Sequence, residues 1–417
     1  MVTMHHDIPI EDPDFYLNDP WPTFAWMQRE APFYHYKSLD TFVVTRYKDI
    51  MSISPRADVF SNARGIFLNE IKYRQAAGDT NFSEGFWPKG GEQIGNADPP
   101  RHQELRRVSQ GAFTIAAIEQ VKAKLGDFAG RQLDQLADRG ECDFWEFAAS
   151  VPIEAACHLL GLPATDRGRV QFWSDELEKL GANISFDELQ AAVAEFDSLK
   201  QYIAENVERR KAERMAGTAT GLDMINVLLD AELDGERGVK LPNVITFAMT
   251  AMAAGADTTR ALLLGLPYYF ARHPDQWHRV KADRSLVKTA IEEVLRLVTP
   301  ARAFLRHVAK DAEINGHSFK EGQYVYLMYM AANRDPEIFE NAHDFDVGRK
   351  NASRHLGFGA GPHLCLGARL ARMEGIEVLN AMLDRFDRIE LTADPVPVRN
   401  HLIRNSWQTM PLRFMRA

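Results

Sequence analysis

The residue in this sequence best placed to do chemistry is a cysteine set among glycines. The stretch Gly357-Phe358-Gly359-Ala360-Gly361-Pro362-His363-Leu364-Cys365-Leu366-Gly367 puts three glycines and a proline ahead of Cys365, and a helical apolar stripe begins directly after it. A sulfur at or near a helix N-terminus is stabilised as a thiolate by the helix dipole and by free backbone N–H groups. Glycines let the backbone approach a flat ligand closely and aim amides at the sulfur. His363, two residues earlier, can donate to an anionic group on such a ligand. A dinucleotide-binding GxGxxG would need glycine where Pro362 or Leu364 stands, and a phosphate loop would need a Gly-Lys-Ser/Thr ending. A lone cysteine is more commonly a buried packing residue. The density of glycines and the neighbouring histidine argue against that here.

Three further constellations carry polar groups at helical spacing. Ala254-Gly255-Ala256-Asp257-Thr258-Thr259 lies inside the most apolar run of the chain, Val244 to Tyr269. Gly255 leaves room against the helix face, and a mid-helix threonine can bond back to a carbonyl and bend the helix. An acid beside a hydroxyl in such surroundings is costly unless it handles protons or water. His102 and Arg106, four apart, follow Asp98-Pro99-Pro100, a helix start with proline in the first turn. Glu293 and Arg296, three apart, can pair along one helix, as many surface ion pairs do.

Phe358-Gly359-x-Gly361-x-His363-x-Cys365-x-Gly367 resembles the haem-binding loop of the cytochrome P-450 superfamily at each defining position. The other constellations resemble further parts of that family in the family's order, from about Pro20 to Phe414. The resemblance implies that Cys365 is the axial thiolate ligand of haem iron. It implies that Asp257 and Thr258, as an acid–alcohol pair, deliver protons during dioxygen activation. His102, Arg106, Arg306 and His363 become the cationic donors for the two propionates of haem b, and Phe358 and Gly359 belong to the same cofactor-binding loop. Glu293 and Arg296 match the family's Glu-x-x-Arg motif. Ala332-Asn333-Arg334-Asp335-Pro336 and Phe345-Asp346-x-x-Arg349 match the segment that follows, so Glu293, Arg296 and Arg349 form a structural charge network. The implied fold is mainly α with a minor β region, a single large haem domain over residues 1–417 with residues 1–19 as an N-terminal extension.

The elements that must position these groups are legible from periodicity. Ile118, Val121, Leu125, Phe128 and Leu136 form one apolar helical stripe, and Leu366, Leu370, Met373, Leu379, Leu383 and Phe386 form another. Thr41 to Arg46 and Tyr324 to Met330 read as strands. Breaks fall at Gly161–Pro163, Gly181–Asn183, Ala216–Gly221 and Leu233–Pro242. Residues 62–97 have no clear period but carry Phe67, Tyr73, Phe82, Phe86 and Trp87, which suits either a cover over an apolar ligand or a self-packed surface loop.

Composition agrees with an ordinary globular chain: 417 residues, 45% hydrophobic, 26% charged, net charge −9. An acidic chain without long basic runs is a poor nucleic-acid binder. Three cysteines cannot form a disulfide framework, which points to a reducing, cytoplasmic location; Cys142 and Cys157 read as packing residues in helical stretches. The N-terminus lacks a signal-peptide pattern, and Asp257 and Arg260 interrupt the one apolar run, so no membrane anchor is expected.

The implied activity is hydroxylation of a small lipophilic substrate of terpenoid, steroid or fatty type with O2. Two electrons would come from NAD(P)H only indirectly, through a separate ferredoxin and ferredoxin reductase, since no flavin or nicotinamide fingerprint occurs. A peroxide-driven enzyme or a non-catalytic haem sensor on the same fold are the alternatives. By resemblance the substrate pocket takes Phe86, Trp87, Thr250, Ala253, Ala254, Ala301 and Phe304, the small residues favouring a bulky ring system or branched chain. The Asp257-Thr258-Thr259-Arg260 run is similar to that of bacterial members acting on sterol side chains, terpenoids or alkanes. Arg302 either pairs with a substrate carboxylate or faces solvent. Arg107, Arg369 and Arg372 could form a docking face for an acidic ferredoxin, or simply a solvated one. A monomer is expected.

Overall fold

Helices form wherever the apolar stripes run, and polar caps and glycines end them. The computed structural model describes residues 8–78, 86–219 and 221–416. The helices that matter for the site are α1 (Asn69–Ala76), α2 (Arg101–Ser109), α3 (Ile115–Asp138), α4 (Trp145–Leu160), α5 (Arg167–Leu177), α6 (Val193–Met215), α7 (Leu241–Arg272), α8 (Val287–Val298) and α9 (Ala368–Arg385). The Thr114 side chain caps α3 by accepting the Ala117 N–H, and the expected stripe from Ile118 to Leu136 is buried. Gly161 closes α4 in the left-handed conformation at φ 81°, which only glycine adopts without strain. Helix α7 has 32 residues, about 48 Å at 1.5 Å per residue. It runs through the core and packs on α4, α5, α6, α8 and α9.

The β portion is small. Besides two two-stranded ribbons, at Glu232–Leu233 with Glu236–Arg237 and at Ala312–Ile314 with His317–Phe319, it consists of β1 (Phe33–Tyr36), β2 (Thr41–Val44), β3 (Phe60–Ser61), β4 (Glu141–Asp143), β5 (Phe304–Val308), β6 (Tyr324–Leu327), β7 (Phe386–Leu391) and β8 (Pro411–Arg416). One sheet has the order β1-β2-β6-β5-β3 and another β7-β8-β4. β2 and β6 pair in parallel, Phe42 opposite Val325, while the other pairs are antiparallel. Among the described residues no helix is long and apolar enough to cross a membrane.

Several expectations are corrected. The strand expected over 324–330 stops at Leu327, and Tyr329–Ala332 turns into a short helix; here Asn333 bonds back to Tyr329 O. The early strand ends at Val44, two residues sooner than read. Helix α2 begins at Arg101, so both prolines precede it rather than occupying its first turn. Cys142 lies on β4, not on a helix. Cys157 is buried on α4, where burial pushes its thiol up to about 12, and burial pushes that of Cys142 to about 11. Leu366 precedes α9 and Phe386 begins β7, so the second stripe is shorter than its periodicity. Within 62–97, α1 and a 3₁₀ turn at Ile94–Asn96 replace the expected irregular segment, and Phe82 lies outside the described residues. Ile8, Ile10 and Tyr16, read as part of an extension, are buried with Phe24 and Met27 in one apolar cluster.

A buried charge network anchors the cysteine loop to α8. Arg296 donates to Glu293 through Nε at 2.7 Å and Nη2 at 2.8 Å, and Arg349 Nε donates to the same carboxylate at 2.9 Å. Arg296 Nη1 also binds the carbonyls of Asn333 at 2.9 Å and Ala342 at 2.6 Å. The Asn333 side chain accepts the Leu356 N–H at 2.6 Å, one residue before the glycine-rich stretch. The adjacent Glu292 takes His355 at 3.1 Å and Arg372 of α9 at 2.6 Å. Burial alone would raise the Glu292 carboxyl, but the hydrogen bonds from His355 and Arg372 outweigh it and hold the group at about 2.

Two stability effects follow from this network. Glu293→Gln leaves two buried guanidiniums without their carboxylate and should cost about 3–5 kcal/mol, read as a lowered denaturant midpoint. Glu292 has a depressed carboxyl, so its contribution is complete above its ordinary value of 4.5 and is lost as pH falls through about 2. That contribution is about 3 kcal/mol, and acid unfolding of Glu292→Gln should show a correspondingly flatter limb below pH 4.5.

Candidate functional site

Backbone conformation aims the cysteine loop. Gly359 and Gly361 have φ of 72° and 71°, and a side chain at Gly361 would collide with Ser54 O at 2.4 Å. After a 3₁₀ turn at Gly361–His363, the Cys365 N–H donates to Phe358 O at 2.9 Å. Helix α9 starts three residues later, at Ala368. The amides of Gly367 and Ala368 therefore point at the sulfur. Burial pushes the Cys365 thiol up, while those amides and the charges of Arg106 and Arg372 pull it down. Protein surrounds this residue, yet its side chain stays accessible, unlike that of Cys157. Phe358 lies beneath the Arg372 guanidinium, 4.5 Å from ring centre to Cζ.

The four expected cationic donors come together beside this loop. His102 and Arg106 extend from α2 and Arg306 from β5, and the His102 and His363 rings are 4.2 Å apart. Burial, reinforced by Arg306, His102 and Arg106, holds the His363 imidazole at about 3. The nearby carboxylate, Asp98, is engaged by Ser61 Oγ and the Asn62 N–H at 2.9 Å. His102 Nδ1 and His363 Nε2 are buried with no hydrogen-bond partner. Such orphaned nitrogens are uncommon in folded proteins. Two arginines and two imidazoles clustered around them suit a ligand bearing carboxylates.

The middle of α7 carries the acid and the alcohol. Thr258 Oγ1 donates to Ala254 O at 2.6 Å, the back-bond anticipated from its type. Ala254 and Gly255 are exposed in the middle of a helix that is mostly buried, and a methyl group at Gly255 would meet nothing within 4 Å. Asp257 is buried and salt-bridged on both oxygens. Arg260 Nε donates to it at 3.0 Å, and Arg404 Nη1 lies 2.6 Å away. Both arginines also bind Glu178, which follows α5. Glu178 and Arg404 have no counterpart in the sequence reading, because no local spacing links residues brought together from three distant segments.

The expected pocket residues divide. Ala253, Thr250, Trp87 and Phe304 are half-buried, and Thr250 satisfies its hydroxyl on Thr246 O at 2.7 Å. Phe304 stacks on Phe67 and leans on Tyr329. Ala301 is buried and bridges to Arg404. Phe86 is 1% exposed and packs edge-on against Phe196 of α6, so it belongs to the core instead of lining accessible space. Arg302 also departs from expectation, being 1% exposed. It donates to His401 O at 2.7 Å and lies over the Tyr16 ring, away from solvent. Arg372 is tied to Glu292, whereas Arg107 and Arg369 are exposed. Among the described residues no cluster of histidine, cysteine and acidic side chains could hold a metal ion on its own.

Residues 183–406 match the family model described as Cytochrome P450. The chain is 30% identical over 402 residues to a steroid C26-monooxygenase of Rhodococcus jostii, covering 93% of this chain and 81% of the relative. It is 29% identical to the 6-deoxyerythronolide B hydroxylase of Saccharopolyspora erythraea, covering 98% and 99%. The crystal structure of CYP108D1 from Novosphingobium aromaticivorans superposes with a TM-score of 0.84 at 28% identity, over 99% of this chain and 100% of that one. The loop, the cation cluster and the acid–alcohol helix thus sit in a known frame: the chain belongs to the cytochrome P450 family, and it is a monooxygenase whose cofactor is haem b held by a cysteine thiolate.

Proposed function

We propose that Cys365 supplies that thiolate, and that His102, Arg106, Arg306 and His363 receive the two haem propionates. The observation that carries this reading is the pair of buried, unpartnered imidazole nitrogens within a cationic cluster, next to an accessible cysteine facing two backbone amides. The residues present therefore fit the group. When bound, the haem supplies dioxygen activation, with one oxygen atom entering the substrate and the other leaving as water.

The chain's own residues do the rest. The amides of Gly367 and Ala368 stabilise negative charge on sulfur and so keep Cys365 a ligand despite the protein packed around it. Phe358 and Gly359 shape the loop, and Glu293, Arg296 and Arg349 hold it in place. Thr258 Oγ1 gives its hydrogen to Ala254 O, which leaves the hydroxyl oxygen free to accept a proton donor in the accessible notch at Ala254 and Gly255. Asp257, fixed by Arg260 and Arg404, is the acid that feeds this hydroxyl.

The pocket around Ala253, Ala254, Thr250, Trp87, Ala301 and Phe304 is mainly apolar, which suits a lipophilic substrate of terpenoid, steroid or fatty type. The relatives named for steroid C26 oxidation and for 6-deoxyerythronolide B hydroxylation support a bulky substrate. Electrons arrive from a ferredoxin and its reductase, with NAD(P)H reached only through them, and exposed Arg107 and Arg369 suit an acidic carrier. We place the protein in the cytoplasm as a monomer, one haem domain along the chain.

The reduced, carbon monoxide-treated protein should show the red-shifted Soret band of thiolate ligation, and Cys365→Ser should abolish it; a wild-type protein without that band overturns the ligand assignment. Thr258→Ala should keep the band but lower product formed per NADPH roughly tenfold or more, measured as coupling with a reconstituted ferredoxin system. In spin-state titrations, steroids and terpenes should bind more tightly than aromatic acids, since neither Arg302 nor Arg404 is available to a substrate carboxylate.

A further inference from the structure

Segment 87–97 lies across the start of α7 and has little apolar packing of its own. No residue from 87 to 100 is buried, and in this stretch Trp87, Ile94 and Ala97 rest half-buried against the apolar core. Chain with so few buried contacts opens at low cost. Gly91 passes α7 so closely that a methyl group there would collide with Thr246 Oγ1 and Pro242 O. Thr246 stands one turn before Thr250, whose hydroxyl its carbonyl accepts. The segment therefore covers the end of α7 that leads to the pocket.

Among the described residues three polar links tie the segment to the rest of the chain. Buried Asn62 donates from Nδ2 to Gly95 O at 2.8 Å, and Asn243 of α7 accepts the Glu92 N–H at 2.8 Å. The third is an ion pair: the Glu92 carboxylate takes Arg101 Nε at 2.8 Å on one oxygen and Arg101 Nη2 on the other. The bonds of Gly91 and Gln93 stay inside the segment.

Arg101, at the start of α2, has anionic partners to spare. Its Nη1 also donates to Glu104 at 2.7 Å, one turn along α2, and to Asp234 at 2.6 Å. Asp234 belongs to the 232–237 ribbon, which Arg107 ties to α2 again by donating from Nη2 to Glu232 O at 2.9 Å. Two of the three carboxylates thus sit on fixed elements and one on the segment. When Glu92 leaves, Arg101 keeps the other two, and Glu92, already 39% exposed, passes into water. No buried charge is stranded, which is what makes an ion pair hard to open. An ion pair this exposed is weak and is screened by salt.

We propose that segment 87–97 is a strap that lifts to admit substrate, latched by the Glu92 carboxylate on Arg101. This rests on the reading of Trp87 and Thr250 as pocket residues. Lifting breaks the bidentate pair and the Asn243 link. Phe86, packed on Phe196, and Asp98, bound by Ser61 and Asn62, hold the two ends. Arg101 touches neither cofactor nor substrate, so it is a positioning residue that sets the rate of entry.

Stopped-flow binding of 4-phenylimidazole to the haem-loaded protein tests this, at alkaline pH where the probe is uncharged and is not steered by the protein's field. The wild-type association rate should rise about two- to fivefold between roughly 0.02 and 0.5 M sodium chloride, as the latch is screened. Glu92→Gln should be fast at low salt and lose that dependence. It should raise the dissociation rate by the same factor, so that affinity does not change. Asp234→Asn removes a partner of Arg101 but not the latch, and should leave both rates at wild-type values. Hydrogen exchange, measured without the probe, should quicken in residues 87–97 of Glu92→Gln and of the wild type at high salt, with α2 and α7 unchanged. Salt-independent wild-type rates, unchanged rates in Glu92→Gln, or equal acceleration by Asp234→Asn overturns the latch. Trp87→Ala separates the two readings: if it alters neither affinity nor rate for the probe, the pocket reading itself fails, whatever happens at Glu92.

Discussion

The site depends above all on holding a cysteine loop still beside buried charge. Its anchor is Glu293, a carboxylate without solvent that two guanidiniums share. Burying three charged groups is expensive, and an apolar core of equal volume would often be as stable. What the network gives is direction. Arg296 binds Glu293 and also the carbonyls of Asn333 and Ala342, so α8 fixes the segment that leads to the glycine-rich loop. The Asn333 side chain donates to Thr299 at the end of α8 and accepts the Leu356 N–H. Thr299 is a non-glycine residue at φ 45°, a strained conformation its hydroxyl offsets by bonding Arg296 O. One helix end, one asparagine and one carboxylate set where the loop begins.

From there the loop is shaped by contacts of short range. Gly361 passes so close to Ser54 that no side chain fits, and Gly359 turns left-handed. This is why the shape of the loop was legible in the sequence: it is written in local residue types, glycine for close approach and left-handed backbone, cysteine just before a helix. The same holds for Thr258, whose bond to Ala254 follows from its place inside a helix. The mainly helical fold was legible from apolar stripes that remain buried over most of their length.

What escaped the sequence is what tertiary packing decides. Arg302 stands among pocket residues, and nothing local shows that its side chain turns on to Tyr16 and His401, the one near the beginning of the chain and the other near its end. Phe86 looks like a pocket aromatic by position, but the approach of Phe196 makes it core. Cys142 pairs into a sheet because β8 returns from the C-terminus to meet it. Tyr324 to Met330 is a continuous apolar run like a buried strand, but Asn333 bonds back to Tyr329 and curls its end into a helix. The first three departures are long-range partners overriding a local pattern, whereas the last is a helical bond four residues long that the apolar run conceals.

The charge cluster on α7 shows the same logic at the level of function. Glu178 stands just before residues 180–184, a strip held from several directions. Asn69 of α1 donates to Ala182 O at 2.9 Å, Tyr73 donates to Ile184 O at 3.0 Å, and the Asn183 N–H donates to Asn400 O at 3.0 Å. Ala182 also pairs with His401. Arg404, three residues on, closes the circuit back to Glu178 and Asp257. The acid on α7 is therefore oriented by the same segments that close over this side of the helix. A shift of the 180–184 strip relative to the C-terminal segment would separate Arg404 from Glu178 and leave Asp257 with a different set of partners. Placing the acid and closing the strip are parts of one packing arrangement, because a buried carboxylate keeps its charge only while its guanidiniums stay in reach.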